Sequence, residues 1–356
     1  MNKSNSFIVL IALLFTVTSC LQPTKTKVPS EEEMKAYLMV YFKDSDHSLH
    51  MALSADGYSF TDINKGNPVI SGDTIARQKG IRDPHIMRGP DNMFYLTMTD
   101  LHIYAKQAGF RTREWERPRE EYGWGNNTGF VLMKSVDLIH WSHTTVAIDK
   151  TFQGYDSIGC AWAPQTIWDD EAGKPMIYYS MRFKDGKTRL YYTYTNTAFT
   201  ELETEPQLLF QYLVDSSYID ADITKIGDQF HMFYVAHDET PGIKQAVSRQ
   251  VNTGYVYDPM WYDSEDVKCE APNVWKRIGE EKWVLMYDIY GIQPHNFGFR
   301  ETTDFKSFND LGRFNEGVMK ATNFEIPKHG AVIHLTKDEA EKLCEHWGLE
   351  MSFDKL

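Results

Sequence analysis

The sequence predicts an all-β chain folded as a single five-bladed β-propeller, closed by N- and C-terminal strands that share one blade. Three observations carry that prediction. One aromatic-rich strand recurs as "YLMVYF" (37–42), "MFYLTMTD" (93–100), "MIYYSMRF" (176–183), "FHMFYVAHD" (230–238) and "WVLMYDIYG" (283–291). A second strand type, "RDPHIMR" (82–88), "WAPQTIWD" (162–169), "IDADITKI" (219–226), "EAPNVWKR" (270–277) and "HGAVIHL" (329–335), precedes the aromatic one in each repeat. The last of these lies at the C-terminus, whereas its aromatic partner lies at the N-terminus, an offset that a closed ring requires. Closure also removes the open edges of a linear array. A β-sandwich would house the strands but leave the offset unexplained.

The elements follow in chain order. Residues 1–20 read as a lipoprotein signal peptide: Lys3 is the basic start, "FIVLIALLFTV" the apolar core, and "VTSC" a lipobox ending at Cys20. An ordinary secretory signal with a coincidental Cys20 is the alternative. Residues 21–35 form a polar tether, 36–340 the propeller, and 341–356 a C-terminal helix and tail, with "TKDEAEKLCEHWG" reading as helix. Three outer strands end on a Ser or Thr, an Asp two residues on, then an aromatic (Ser54/Asp56/Phe60, Ser135/Asp137/Trp141, Thr302/Asp304/Phe308). The short polar side chain can cap the turn. After Cys20 only Cys160, Cys269 and Cys344 remain, which reads as buried thiols with a Cys160–Cys269 bridge left open.

Composition narrows the function. Over 356 residues, aromatics make up 14 %, with 20 Tyr, 20 Phe and 9 Trp, which suits strands and the stacking of sugar rings. A formal charge of −13 argues against nucleic acid, since no basic patch is available to neutralise phosphates.

The chemistry gathers at the axis. Asp83, the Trp162 region, Asp220, Glu270 and His329 begin the five inner strands and are expected to face one another at equivalent positions. Buried carboxylates without partners or a function are rare. Two opposed carboxylates suit glycosidic hydrolysis, one protonating the leaving oxygen and the other activating water. A third beside the acid raises its pKa and orients it.

These motifs, "GIRDPHIMRGPD", "CAWAPQTIWDDE", "YIDADITKIGDQFHMFY", "CEAPNVWK" and "KHGAVIHL", resemble glycoside hydrolase family 43 in its order, along nearly the whole mature chain. The resemblance implies an inverting hydrolase with Asp83 as general base, Asp220 as pKa modulator and Glu270 as general acid. His329 matches an axial histidine that sits near a calcium ion or a water in many members. The sequence departs from the pattern at Gln165, where an acid often follows "WAP", and at Ala271, where Gly is common. A second propeller family, the fructan hydrolases, places its "RDP" after an Asn-Asp-Pro base that this chain lacks.

Loops returning to the mouth supply candidate sugar contacts: Asp100, Trp124, Met181, Arg182, His237, Tyr290 and Arg300, with Trp162 as a stacking platform or core aromatic and Gln165 at a subsite. The insertion at 104–127, with Trp115, Tyr122 and Trp124, reads as a wall favouring exo action or as a solvated flap. The expected protein is an exo-acting α-L-arabinofuranosidase on plant-type glycans, tethered to the bacterial cell envelope through its lipid anchor. β-Xylosidase or β-D-galactofuranosidase activity and a non-catalytic glycan-binding lipoprotein are the alternatives.

Overall fold

A computed structural model describes residues 27–110, 117–239 and 242–354. Cys20, the leader and Trp115 lie outside the described residues. Among the described residues no helix is long and apolar enough to cross a membrane.

Five sheets, antiparallel except where the short edge strand Lys320–Ala321 runs parallel to Ser59–Asp62, form the blades of a propeller. Blade one joins the C-terminal inner strand Lys328–Thr336 to Met34–Phe42, Leu49–Ser54 and Ser59–Asp62. The inner strands of blades two to five are Ile81–Arg88, Ile158–Asp169, Tyr218–Ile226 and Cys269–Lys276. Each inner strand packs on the next, and Cys269–Lys276 packs back on Lys328–Thr336, so the ring closes. The latch is main-chain pairing of the two ends, with Leu38 opposite Ile333 and Val40 opposite Ala331.

Apolar packing fills the spaces between neighbouring blades. Tyr95, Phe130, Tyr179, Met181 and Phe199 sit together between blades two and three, and Phe233, Tyr262, Leu285 and Tyr287 between four and five. The aromatic strand is therefore a between-blade strand. Its large rings remove much apolar area from water, at about 25 cal/mol per Å².

The Ser/Thr–Asp signature does cap turns. Ser54 Oγ accepts the Gly57 N–H at 2.9 Å while Asp56 Oδ1 accepts those of Tyr58 and Ser59 at 2.7 Å. The same bonds recur at Ser135/Asp137 and Thr302/Asp304. Cys160, Cys269 and Cys344 are free and buried, so the open Cys160–Cys269 pairing is not made.

The C-terminal helix, Lys337–Trp347, starts inside the segment assigned to the propeller, because Thr336 is its N-cap. Thr336 Oγ1 accepts the Glu339 N–H at 3.3 Å, and Glu339 Oε2 accepts the Thr336 N–H at 2.8 Å, a capping box. Arg88 of blade two grips both Glu339 oxygens at 2.7 Å. Ala340, Leu343 and Cys344 bury against the strands of blades one and two. The helix thus locks over the closure.

Each inner strand carries a one-residue bulge near its start. Pairing jumps between Arg82 and His85, Trp162 and Gln165, Ile219 and Asp222, Glu270 and Asn273, and between Lys328 and Ala331. In every bulge one residue turns left-handed: Asp83 (φ 53°), Ala163 (48°), Asp220 (55°), Ala271 (56°) and His329 (31°). Non-glycine residues take that region at a cost, and it is a common device for aiming a side chain at a site.

Candidate active site

The bulges sort the axial residues into levels. Asp83, Ala163, Asp220, Ala271 and His329 are equivalent and form the inner ring of the mouth. Glu270 does not belong to that ring. It stands one residue earlier, equivalent to Arg82, Trp162, Ile219 and Lys328, which corrects the expected alignment of three acids at one repeat position. The proton donor expected from sequence therefore sits nearer the opening, with its side chain 24 % exposed, above two buried aspartates.

Asp83 is clamped. Thr99 Oγ1 accepts the Ala163 N–H at 2.8 Å and so gives its own hydrogen to Asp83 Oδ2 at 2.7 Å. His329 Nδ1 lies 3.4 Å from Asp83 Oδ1. Burial pushes the carboxyl up, but the His329 hydrogen bond and charge, Arg82 and Thr99 outweigh it and hold Asp83 well below the usual carboxylate range. Asp83 is thus held in its ionised form.

Asp220 has the opposite character. Burial, with the charges of Glu270 and Asp83, pushes it up to about 7 against the opposing pull of His329 and the Ala271 N–H. Its own backbone N–H is fixed by Ser180 Oγ at 2.9 Å. Two buried carboxyls at one axis are thus pushed in opposite directions, Asp83 down and Asp220 up.

Sequence reasoning missed two groups beside Glu270. Lys328 Nζ lies 3.4 Å from Glu270 Oε1 and 3.1 Å from Asp288 Oδ2. Asp288 is fully buried, and burial together with Glu270 pushes it up to about 7 against the pull of Lys328. Lys328 directly precedes the axial histidine, and Asp288 interrupts the aromatic strand "WVLMYDIYG"; those were the available signals. Arg82, paired with Asp44 at 2.6 Å, was missed as well.

The candidate contacts divide. Trp162 is held by the insertion: its indole N–H donates to Gly125 O at 2.8 Å, and Trp124 meets it edge-on at 5.8 Å between ring centres. Arg182 stacks on Trp162 at 4.5 Å and donates to the carbonyls of Tyr122 at 3.1 Å and Trp124 at 2.7 Å. These contacts fasten residues 122–125 of the insertion beside the mouth and leave Trp124 half exposed. His237, Trp261, Lys268 and Tyr290 line a cleft of about 630 Å³ that reaches Cys269, next to Glu270. Asp100 stands at the rim, but its carboxylate accepts the N–H groups of Gln78 at 2.8 Å and Arg77 at 3.2 Å.

Three expected contacts are placed elsewhere. Met181 is fully buried between blades two and three, because the aromatic strand points it at the neighbouring blade. Gln165 sits two residues below the inner ring and accepts the Tyr178 O–H at 2.9 Å. At its level His85, Asp222 and Asn273 receive backbone N–H groups from the next blade (Thr166, Val274 and Val332, at 3.0–3.1 Å), whereas the Ile223 N–H beside Gln165 goes to the Tyr178 hydroxyl at 2.9 Å. Arg300 pairs with Leu285 towards the far end of blade five and binds the carbonyls of Tyr262 and Phe308.

His329 Nε2 is buried and has no partner among the described residues. Calcium takes six to eight oxygen ligands. Among the described residues no cluster of three or more His, Cys, Asp or Glu is gathered to hold a metal ion. The donor set therefore does not fit a protein-built calcium cage, and a water suits the lone imidazole nitrogen.

A closed five-bladed propeller with one depressed and one raised carboxyl at its axis is an arrangement that suits a glycoside hydrolase. Residues 32–341 match a family described as "Probable glycosyl hydrolase domain", related to glycoside hydrolase family 43, and the chain belongs to it. It is 24 % identical over 201 residues to an α-L-arabinofuranosidase of Bifidobacterium longum, a match covering 50 % of this chain and 17 % of that protein. The chain thus matches about a sixth of that relative's length. In fold it is similar to an endo-arabinase from Bacteroides thetaiotaomicron, with TM-score 0.53 and 16 % identity over 74 % of this chain and 88 % of that one. An exo-1,5-α-L-arabinanase from a bovine ruminal metagenomic library gives TM-score 0.51 and 15 % identity over 75 % and 89 %.

Proposed function

We propose that the chain is an exo-acting, inverting hydrolase that removes terminal α-L-arabinofuranosyl units from plant-type glycans. The observation that carries this reading is the pairing of an ionised Asp83 with a more exposed Glu270 above a buried Asp220 whose carboxyl is raised to about 7. Asp83 takes a proton from the attacking water, Glu270 protonates the leaving oxygen, and Asp220 orients the acid. The wall of Trp124, Trp162 and Arg182 closes one side of the mouth and favours chain ends. The sugar is chosen on the arabinofuranosidase among the relatives and the arabinan-degrading enzymes among the folds. Cys20, by the same proposal, is lipidated and tethers the enzyme to the cell envelope; loss of labelled palmitate from a Cys20→Ala protein would support this.

The deciding experiment is a panel of aryl α-L-arabinofuranoside, β-D-xyloside and β-D-galactofuranoside, with NMR of the first-released anomer. Hydrolysis of the arabinofuranoside with inversion is expected. Preference for another member reassigns the sugar, a retained anomer refutes single displacement, and silence across the panel and arabinan fragments favours a glycan-binding protein.

A further inference from the structure

Asp288 occupies a position that blades two and three fill with a neutral hydroxyl and blades four and one with Val235 and Phe42. Its hydroxyl equivalents, Thr99 and Ser180, accept the bulge N–H of the next blade, from Ala163 at 2.8 Å and Asp220 at 2.9 Å. Asp288 Oδ2 accepts the corresponding N–H, that of His329, at 3.3 Å. Capping therefore needs no charge. The carboxylate is instead accounted for by Lys328, whose side chain is 4 % exposed and whose ammonium lies between Asp288 and Glu270. A buried ammonium requires an anion close by. Asp44 and Arg82 also face Lys328 across the mouth, and the Tyr290 ring lies 5.8 Å from the ammonium.

We propose that Lys328, with Asp288 as its buried counter-charge, is the positioning residue for the proton donor. It fixes Oε1 of Glu270 so that Oε2 carries the proton, and it stabilises the anion that Glu270 becomes. As the glycosidic C–O bond breaks, its electron pair stays with the leaving oxygen, which takes the Glu270 proton. The water oxygen bonds the anomeric carbon from the opposite face as its proton passes to Asp83, and exchange with solvent resets both carboxyls. The ammonium faces more negative charge after proton transfer than before it, so it favours the transition state over the ground state. This assignment rests on the glycosidase reading above.

The test compares wild type, Lys328→Met, Lys328→Arg, Asp288→Thr and Glu270→Gln on two glycosides of the sugar the wild type cleaves, one with a nitrophenyl and one with an unactivated phenyl leaving group. Lys328→Met should lose at least about tenfold more kcat/KM on the phenyl than on the nitrophenyl glycoside, as the larger defect of Glu270→Gln does. Lys328→Arg should recover most of the difference. Asp288→Thr supplies the hydroxyl cap of blades two and three, and should show the same leaving-group bias with a folded melting profile. Equal losses on both substrates, in Lys328→Met or in a well-folded Asp288→Thr, would overturn the assignment. An inactive wild type would instead refute the glycosidase reading.

Discussion

His329 Nδ1 faces Asp83 Oδ1 at 3.4 Å, so the first and second blades of the ring meet through an imidazole–carboxylate contact at the axis. The imidazole itself is pushed above its ordinary value; burial opposes this, but the Asp83 hydrogen bond and the charges of Asp83, Asp220 and Glu270 prevail. For Asp83, a depressed carboxyl, the pairing contributes stability above the unfolded pKa, and that contribution is lost as pH falls through the folded one. Replacing His329 by Gln should therefore raise the Asp83 pKa. The acid limb of kcat/KM should move to higher pH, and an unmoved limb would show that Asp83 is not the titrating base.

Asp83→Ala should lower kcat/KM by about 10²–10⁴ with every leaving group, because the attacking water loses its base. Side-by-side assays with activated and unactivated aryl glycosides check this. A loss confined to the unactivated substrate would exchange the roles of Asp83 and Glu270.

Asp220 predicts the opposite pH trend in stability. Its folded value, about 7, lies above the unfolded one, so the folded state binds the extra proton and its contribution is lost as pH rises through 7. Asp220→Asn removes that penalty. Its melting temperature should exceed wild type by more at pH 8 than at pH 5, while activity falls.

Thr99→Val strips the hydroxyl that joins Ala163 to Asp83. Leaving a buried N–H and a carboxylate oxygen short of partners should cost about 1–3 kcal/mol and reduce activity. Thr99→Ser should restore both. Denaturant melts of the two variants would separate the hydroxyl's role from the methyl's.

Chelation should leave both activity and melting temperature unchanged, since the surroundings of His329 offer no calcium cage among the described residues. A calcium-dependent melting shift after dialysis against EDTA would show an ion held through water.

The bulges explain how much of the site could be read from the sequence. Repeats of strand type, the displaced fifth inner strand and the capped turns are written in local composition, so five blades and their closure follow from the chain alone. Asp83, Asp220 and His329 were also legible, because each is the polar oddity of an inner strand. Glu270 was recognised but placed one level too deep, since a bulge adds one residue and shifts every alignment across it. Met181 and Arg300 were misplaced because alternation does not tell which blade a side chain meets. Asp288 and Lys328 come from strands far apart in sequence, and only their shared neighbour, Glu270, gives them meaning. The sequence by itself determined the propeller and its acids, since repeat pattern and residue type are local properties. Only the tertiary structure decided which acid is pushed down, which is pushed up and which one a lysine holds, because those depend on burial and on charges a few ångströms away across the ring.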